Sequence, residues 1–180
     1  MSPQLLALQA MCEIAALLAL HSLIRSEVMA LEWKNVDLAR GRLRVSGVVV
    51  PDENNDYIWK PENKNETSSR TVPIMIPRLK ELLQQSKKRT GRIINGDPNT
   101  IYSQINAICR KNNLPEVGWH GLRHSFVALA LHLSVPEQIT ARMGGWKDLA
   151  TIHKIYTHIA QQDVDSYGEE MKNFYQKIYT

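Results

Sequence analysis

Apolar positions along the chain repeat first at helical, then at strand, then again at helical spacing. Leu5, Leu8, Met11, Cys12, Ala15, Leu18 and Leu20 fall mostly on helical intervals and predict a helix from Pro3 to about His21. Ser2 can cap it, and Pro3 suits its first turn. A second helix is expected from Ser26 to Trp33, closed by Asn35-Val36-Asp37. Gly41 then opens a strand pattern, Arg42-Leu43-Arg44-Val45, running on to Val50. Polar residues 52–56 read as a turn, Tyr57–Lys60 as a short strand, and Pro61–Ser69 as a polar loop. Thr71–Ile76 is a strand whose Pro73 belongs at an edge or a strand end. Helices follow over Pro77–Ser86, Thr100–Lys111, His120–Leu133, Pro136–Met143, Leu149–Ala160 and Val164–Tyr179. The order predicts an α+β chain, mainly α, with a helical body beside a small antiparallel sheet of about three strands.

The totals narrow the setting more than the function. A chain of 180 residues suits one compact domain, 1–180. A net charge of +4 is mildly basic and by itself weak evidence for nucleic acid. Apolar runs are too short for a membrane helix. Ile14–Leu20 lacks the basic flank and cleavage site of a signal peptide. The isolated Cys12 and Cys109 form no metal pattern and read as reduced residues of a cytoplasmic protein.

Candidate chemistry gathers around Trp119-His120-Gly121-Leu122-Arg123-His124-Ser125-Phe126. His120 and Arg123 are three apart, so a helix puts them on one face. An arginine fork matches phosphate or carboxylate bidentately. Downstream, Gly144-Gly145-Trp146 adds an indole N–H, and Tyr156-Thr157-His158 adds a phenol. Basic donors with a tyrosine suggest attack on a phosphodiester. Each residue also has a plainer reading. Tyr156 lies in an apolar stripe with Ile152, Ile155 and Ile159, where a lone tyrosine is usually core. Arg123 alone would be a salt bridge, His120 a helix-start histidine and Trp146 a packing aromatic.

Taken together and in this order, the boxes resemble those of the tyrosine recombinases, or phage integrases. His120-Gly-Leu-Arg123-His124 is similar to their H-x-L-R-H, Gly144-Gly145-Trp146 to their G-H or G-W box, and Tyr156-Thr-His158 to the Y-x-H around their nucleophile. The resemblance runs from about Ile14 to the C-terminus. It implies the tyrosine-recombinase catalytic-core fold and a site of Arg25, Lys64, His120, Arg123, Trp146 and Tyr156, with Tyr156 as nucleophile. Lys64 corresponds to the lysine of the family's K-T-x-x-S-x-R-x-V-P segment, with Lys60 as runner-up. Lys60, Arg70, Lys87, Lys88, Arg89 and His124 are the expected DNA-binding set; the basic loop at 87–92 reads equally well as a solvated helix end.

The first arginine is ambiguous. In the family's R-x-x-E box, counting back from Glu27 puts Ile24 at the arginine place, whereas Arg25 fits if one residue is missing. Arg25 is the favoured reading. Two further departures are His21-Ser22-Leu23 where the family has a small Thr-Gly, and one extra residue between Trp146 and Tyr156.

The implied function is site-specific cleavage and rejoining of DNA through a covalent 3′-phosphotyrosyl link. It needs no nucleotide cofactor and no metal. The implied partner is double-stranded DNA at an attachment or recombination site, bound by a homotetramer that exchanges C-terminal segments. The family's N-terminal core-binding domain is missing from this stretch, so a fragment of a longer, bacterial or phage-encoded integrase is expected, in the cytoplasm at the nucleoid. Competing readings are a DNA-binding relic that no longer cleaves, a type IB topoisomerase-like enzyme, and a plain helical interaction domain.

Overall fold

The computed structural model describes residues 3–54, 56–61, 69–86, 89–162 and 164–178. Its spine is α1 (Pro3–Leu20), with Cys12, Ala15, Leu18 and Ala19 wholly inside. Around it pack α2 (Arg25–Ala30), α3 (Pro77–Gln85), α4 (Pro98–Lys111) and α5 (Trp119–His132). A helix surrounded in this way is apolar over most of its circumference, and Ala15, Leu18 and Ala19 do bury neighbouring faces of it. A second, smaller core joins α5 to α6 (Glu137–Gly144) and α7 (Leu149–Gln162) through Phe126, Val127, Ala141, Ile152 and Tyr156. The last helix, α8 (Val164–Ile178), packs on α7 and leaves Met171, Phe174 and Tyr175 exposed.

The strand region divides in two where the sequence pattern reads as one. Strands β1 (Val36–Asp37), β2 (Arg42–Val45) and β5 (Arg70–Pro73) form an antiparallel sheet in the order β1-β2-β5. Strands β3 (Gly47–Pro51) and β4 (Tyr57–Pro61) form a separate hairpin in which Val49 faces Trp59. The strand expected to run unbroken from Arg42 to Val50 breaks at Ser46. Leu43 and Val45 alternate inward against exposed Arg42 and Arg44. After Ser46 the buried positions become Gly47 and Val49, the same odd-numbered parity, so alternation alone gave no sign of the break. Pro73 ends β5, as a residue without an N–H should.

Helix limits follow local chemistry. Asp97 caps α4 by accepting from the Thr100 N–H at 2.8 Å, with Pro98 in the first turn, so this helix starts two residues before Thr100. The second helix is shorter than expected: it ends at Ala30, and Trp33–Asn35 is a separate 3-10 turn. Cys12 and Cys109 are both free thiols, and burial pushes the Cys12 thiol up from its ordinary value. No helix among the described residues is long and apolar enough to cross a membrane.

Candidate active site

Two helix ends build the site. α1 finishes in a hydrogen-bonded cap: the Ser22 N–H donates to Ala19 O at 2.9 Å and the Leu23 N–H to Leu18 O at 3.3 Å. This is the Schellman arrangement, which requires a left-handed residue, and Ser22 takes that role with φ 72°. Leu18 and Leu23, both fully buried, supply its apolar contact. α6 ends similarly at Gly145, with φ 72°, whose N–H donates to Ala141 O, as does that of Trp146.

Arg123 lies between these two ends. Its guanidinium donates to Ser22 O at 3.0 Å and to Gly144 O at 2.9 Å. The negative ends of two helix dipoles therefore face one cation. Trp146 covers it, with the Arg123 Cζ 3.9 Å from the ring centroid, a cation–π contact. The Gly-Gly pair follows from this packing. A Cβ on Gly144 would overlap the Trp146 ring, and a Cβ on Gly145 would meet the Arg70 guanidinium.

His120 stands exposed in the first turn of α5, with exposed His124 one turn further on. The His124 imidazole is held below its ordinary value, by partial burial first and by the nearby charges of His120 and Arg123 next. His120, Arg123, His124 and Trp146 are thus one cluster.

Tyr156 is buried. Its hydroxyl donates to Val135 O at 3.2 Å and lies 3.1 Å from Thr140 Oγ1, which also reaches Pro136 O at 3.2 Å. Two hydroxyl protons are shared among three contacts. Thr140 and Gly144 are one turn apart on α6, about 6 Å along its axis, so the phenol and the Arg123 guanidinium are anchored to the same helix a turn apart.

The first arginine differs from expectation. Arg25 is the first residue of α2, exposed, and has no hydrogen-bond or ion-pair partner among the described residues. Ile24, half-buried, caps that helix; its N–H donates to Glu27 Oε2 at 2.9 Å.

Arg70 is not a free surface cation. It is buried in a two-pronged ion pair with Glu27, at 2.6 and 2.9 Å, and its Nε donates to Met143 O at 3.1 Å. These three bonds tie α2 to the end of α6. Arg89 is exposed and caps α3 through Gln84 O at 2.6 Å and Ser86 O at 3.3 Å. Lys60 is exposed on β4. Lys64, Lys87 and Lys88 lie outside the described residues.

Neither Thr140 nor the Glu27–Arg70 pair is marked in the sequence as part of this site. Ser22 is marked only as a departure from the family's Thr-Gly, and so is His21. His21 is wholly buried, with Nδ1 2.7 Å from Leu17 O and Nε2 accepting from the Met75 and Ile76 N–H groups at 2.9 and 3.2 Å. Burial holds its imidazole below the ordinary value, and in that neutral form it pins the end of α1 to the entry of α3.

Comparison with known proteins bears on the family and the fold. Residues 4–163 match the phage integrase family. A "tyrosine recombinase XerC-like" protein of Caldanaerobacter subterraneus subsp. tengcongensis is 24% identical over 84% of this chain and 46% of its own length. The integrase of Salmonella phage P22 is 21% identical over 84% of this chain and 40% of its own. The chain thus spans less than half the length of these two curated relatives. Among solved structures, the Tn1549 transposon integrase in complex with transposon right end DNA superposes with a TM-score of 0.64 at 15% identity, over 92% of this chain and 65% of that one. The XerH site-specific recombinase bound to palindromic difH substrate gives 0.59 at 20% identity, over 96% and 48%. The fold is therefore that of tyrosine-recombinase catalytic domains, and the chain belongs to the phage integrase family.

Proposed function

We propose that this chain is the catalytic domain of a site-specific DNA recombinase that cuts and rejoins a strand through Tyr156. The observation that carries the reading is the Arg123 socket: a guanidinium fixed by two helix ends and covered by Trp146, with His120 beside it. Such a preorganised cation stabilises charge on the non-bridging oxygens of a phosphodiester without reorganising during the reaction. The Tyr156 oxygen attacks the phosphorus in line, and its proton is relayed by His120. The bond from phosphorus to the 5′ oxygen breaks, leaving a 3′-phosphotyrosyl link. Lys64 protonates the departing 5′ oxygen. The 5′-hydroxyl of a second strand reverses the step. For attack, the Tyr156 hydroxyl must leave Thr140 and Val135 O, so α7 shifts against α6 when DNA binds. The exposed Met171, Phe174 and Tyr175 of α8 support exchange of that helix between copies assembled on DNA.

The test is incubation with nicked duplex DNA from the parent element's attachment site, followed by denaturing electrophoresis. A denaturation-resistant adduct is expected for the wild type and none for Tyr156→Phe, which keeps DNA binding. An adduct of equal yield in the Phe variant sinks the assignment of the nucleophile.

A second reading, a clamp that holds phosphate but does not cut, draws on the first arginine. Counting back from Glu27, whose carboxylate accepts from the Ile24 N–H, supports Ile24 as the occupant of the arginine place. In the same experiment this reading expects binding without an adduct.

A further inference from the structure

A cleft of about 880 Å3 opens beside Trp146, between the three-stranded sheet and the C-terminal end of α6. Arg42 of β2, Arg142 in the last turn of α6 and Lys147 just after it line this cleft. All three are exposed, and none has a hydrogen-bond or ion-pair partner among the described residues. Among the described residues no carboxylate lines the cleft. Glu27, behind it, is buried and already taken by Arg70. Thr71 and Gln138 add neutral donors to the wall. Elsewhere, three exposed arginines, Arg40, Arg78 and Arg110, each sit against a carboxylate, of Asp37, Glu13 and Glu116, whereas Arg25 and Arg44 stand exposed with no such partner among the described residues. Cations left unpaired around one concavity repel one another, and a bound polyanion relieves that repulsion. Trp146 is the wall shared with the Arg123 socket, so the cleft adjoins it.

We propose that this cleft is a track for the backbone of duplex DNA, with Arg42, Arg142 and Lys147 each neutralising one phosphate and reading no base. The proposal rests on the DNA-processing reading above and extends it to residues that neither motif nor spacing marks.

The experiment measures the affinity of the full chain for a duplex of arbitrary sequence across a sodium chloride series, by fluorescence anisotropy. It is done in the Tyr156→Phe background, so that cutting plays no part. Each phosphate contact contributes about 0.9 to the slope of log K against log salt. Replacing Arg42, Arg142 and Lys147 by alanine is therefore expected to reduce the slope by about 2.7. A charge-matched control, Arg40→Ala with Arg78→Ala and Arg110→Ala, removes the same net charge and should leave the slope nearly unchanged. All six positions are exposed, and thermal melts check that both triple variants stay folded. An unchanged slope in the cleft variant overturns the proposal, and so does an equal fall in both. Failure of the strand-cleavage reading looks different: no covalent adduct from the unsubstituted chain, with the slope difference intact.

Discussion

Arg123 and Arg25 were proposed from the sequence as partners on one phosphate, yet the fold treats them in opposite ways. Arg123 is buried where two helices end. It meets the carbonyls of Ser22 and Gly144 and lies under an indole. A cation at helix C-termini gains about 0.3–1 kcal/mol from each dipole at exposed sites, and more where water is excluded. Arg25 opens α2, where the dipole is positive, and points to solvent. The same residue type is therefore preorganised in one place and unconstrained in the other. A phosphate clamp needs a guanidinium whose position is settled before the ligand arrives. On that criterion Arg123 qualifies and Arg25 does not.

This contrast can be broken most sharply by alanine substitution at the two positions. Arg123→Ala should slow single-turnover adduct formation on a nicked substrate by about 10²–10³-fold. It should also lower the melting temperature, because two buried carbonyls lose their partner. Arg25→Ala should change the rate less than about twofold, since a donor with no settled place adds little in the transition state. Comparable losses at both positions would mean that DNA binding draws Arg25 into the clamp.

Ile24→Arg is expected to have a smaller effect of opposite sign. If Ile24 occupies the arginine place, the new guanidinium should raise the adduct rate by about tenfold, roughly 1.4 kcal/mol of barrier. If Arg25 already serves, it should add nothing. The same nicked-substrate assay separates the two outcomes.

The smallest effect tests the socket itself. Ser22 holds a left-handed conformation that costs a non-glycine residue roughly 1–2 kcal/mol, and its buried hydroxyl has no partner among the described residues. Ser22→Gly should stabilise the chain by about 1 kcal/mol in urea unfolding, with the Ser22 carbonyl still on Arg123. A destabilised Gly variant would show that the hydroxyl has a role beyond its strain.

Much of the fold was readable. Helix positions from α1 to α8 lie within a few residues of those expected. Most of the helices carry a one-sided apolar stripe, with local end signals such as Asp97-Pro98 and Gly145, whereas α1 and α5 are apolar more nearly all round. The division of the strands was not readable. Ser46 interrupts the ladder without disturbing the alternation, and which strand pairs with which depends on residues distant in sequence: Leu43 pairs with Val72, whereas Val49 pairs with Trp59. In the candidate site, His120, Arg123 and Trp146 were legible as a spaced set, and the structure gathers them. Arg70 was legible only as a cation. Its burial against Glu27 is set by a partner 43 positions earlier, for which no spacing rule exists.

The sequence by itself determined which residue types are present and at what helical phase. That was enough for the family resemblance, for the clustering of His120 with Arg123 on one turn, and for the presence of a tyrosine after a Gly-Gly-Trp box. Tertiary structure alone decided which of those groups are held and which are loose. Arg123 is fixed because two chain segments, ending at Ser22 and Gly144, bring their free carbonyls to the same point. Arg25 is loose because no such ends face it. The free carbonyls of a helix terminus are a property of every helix, and only packing decides whether two of them converge on one side chain.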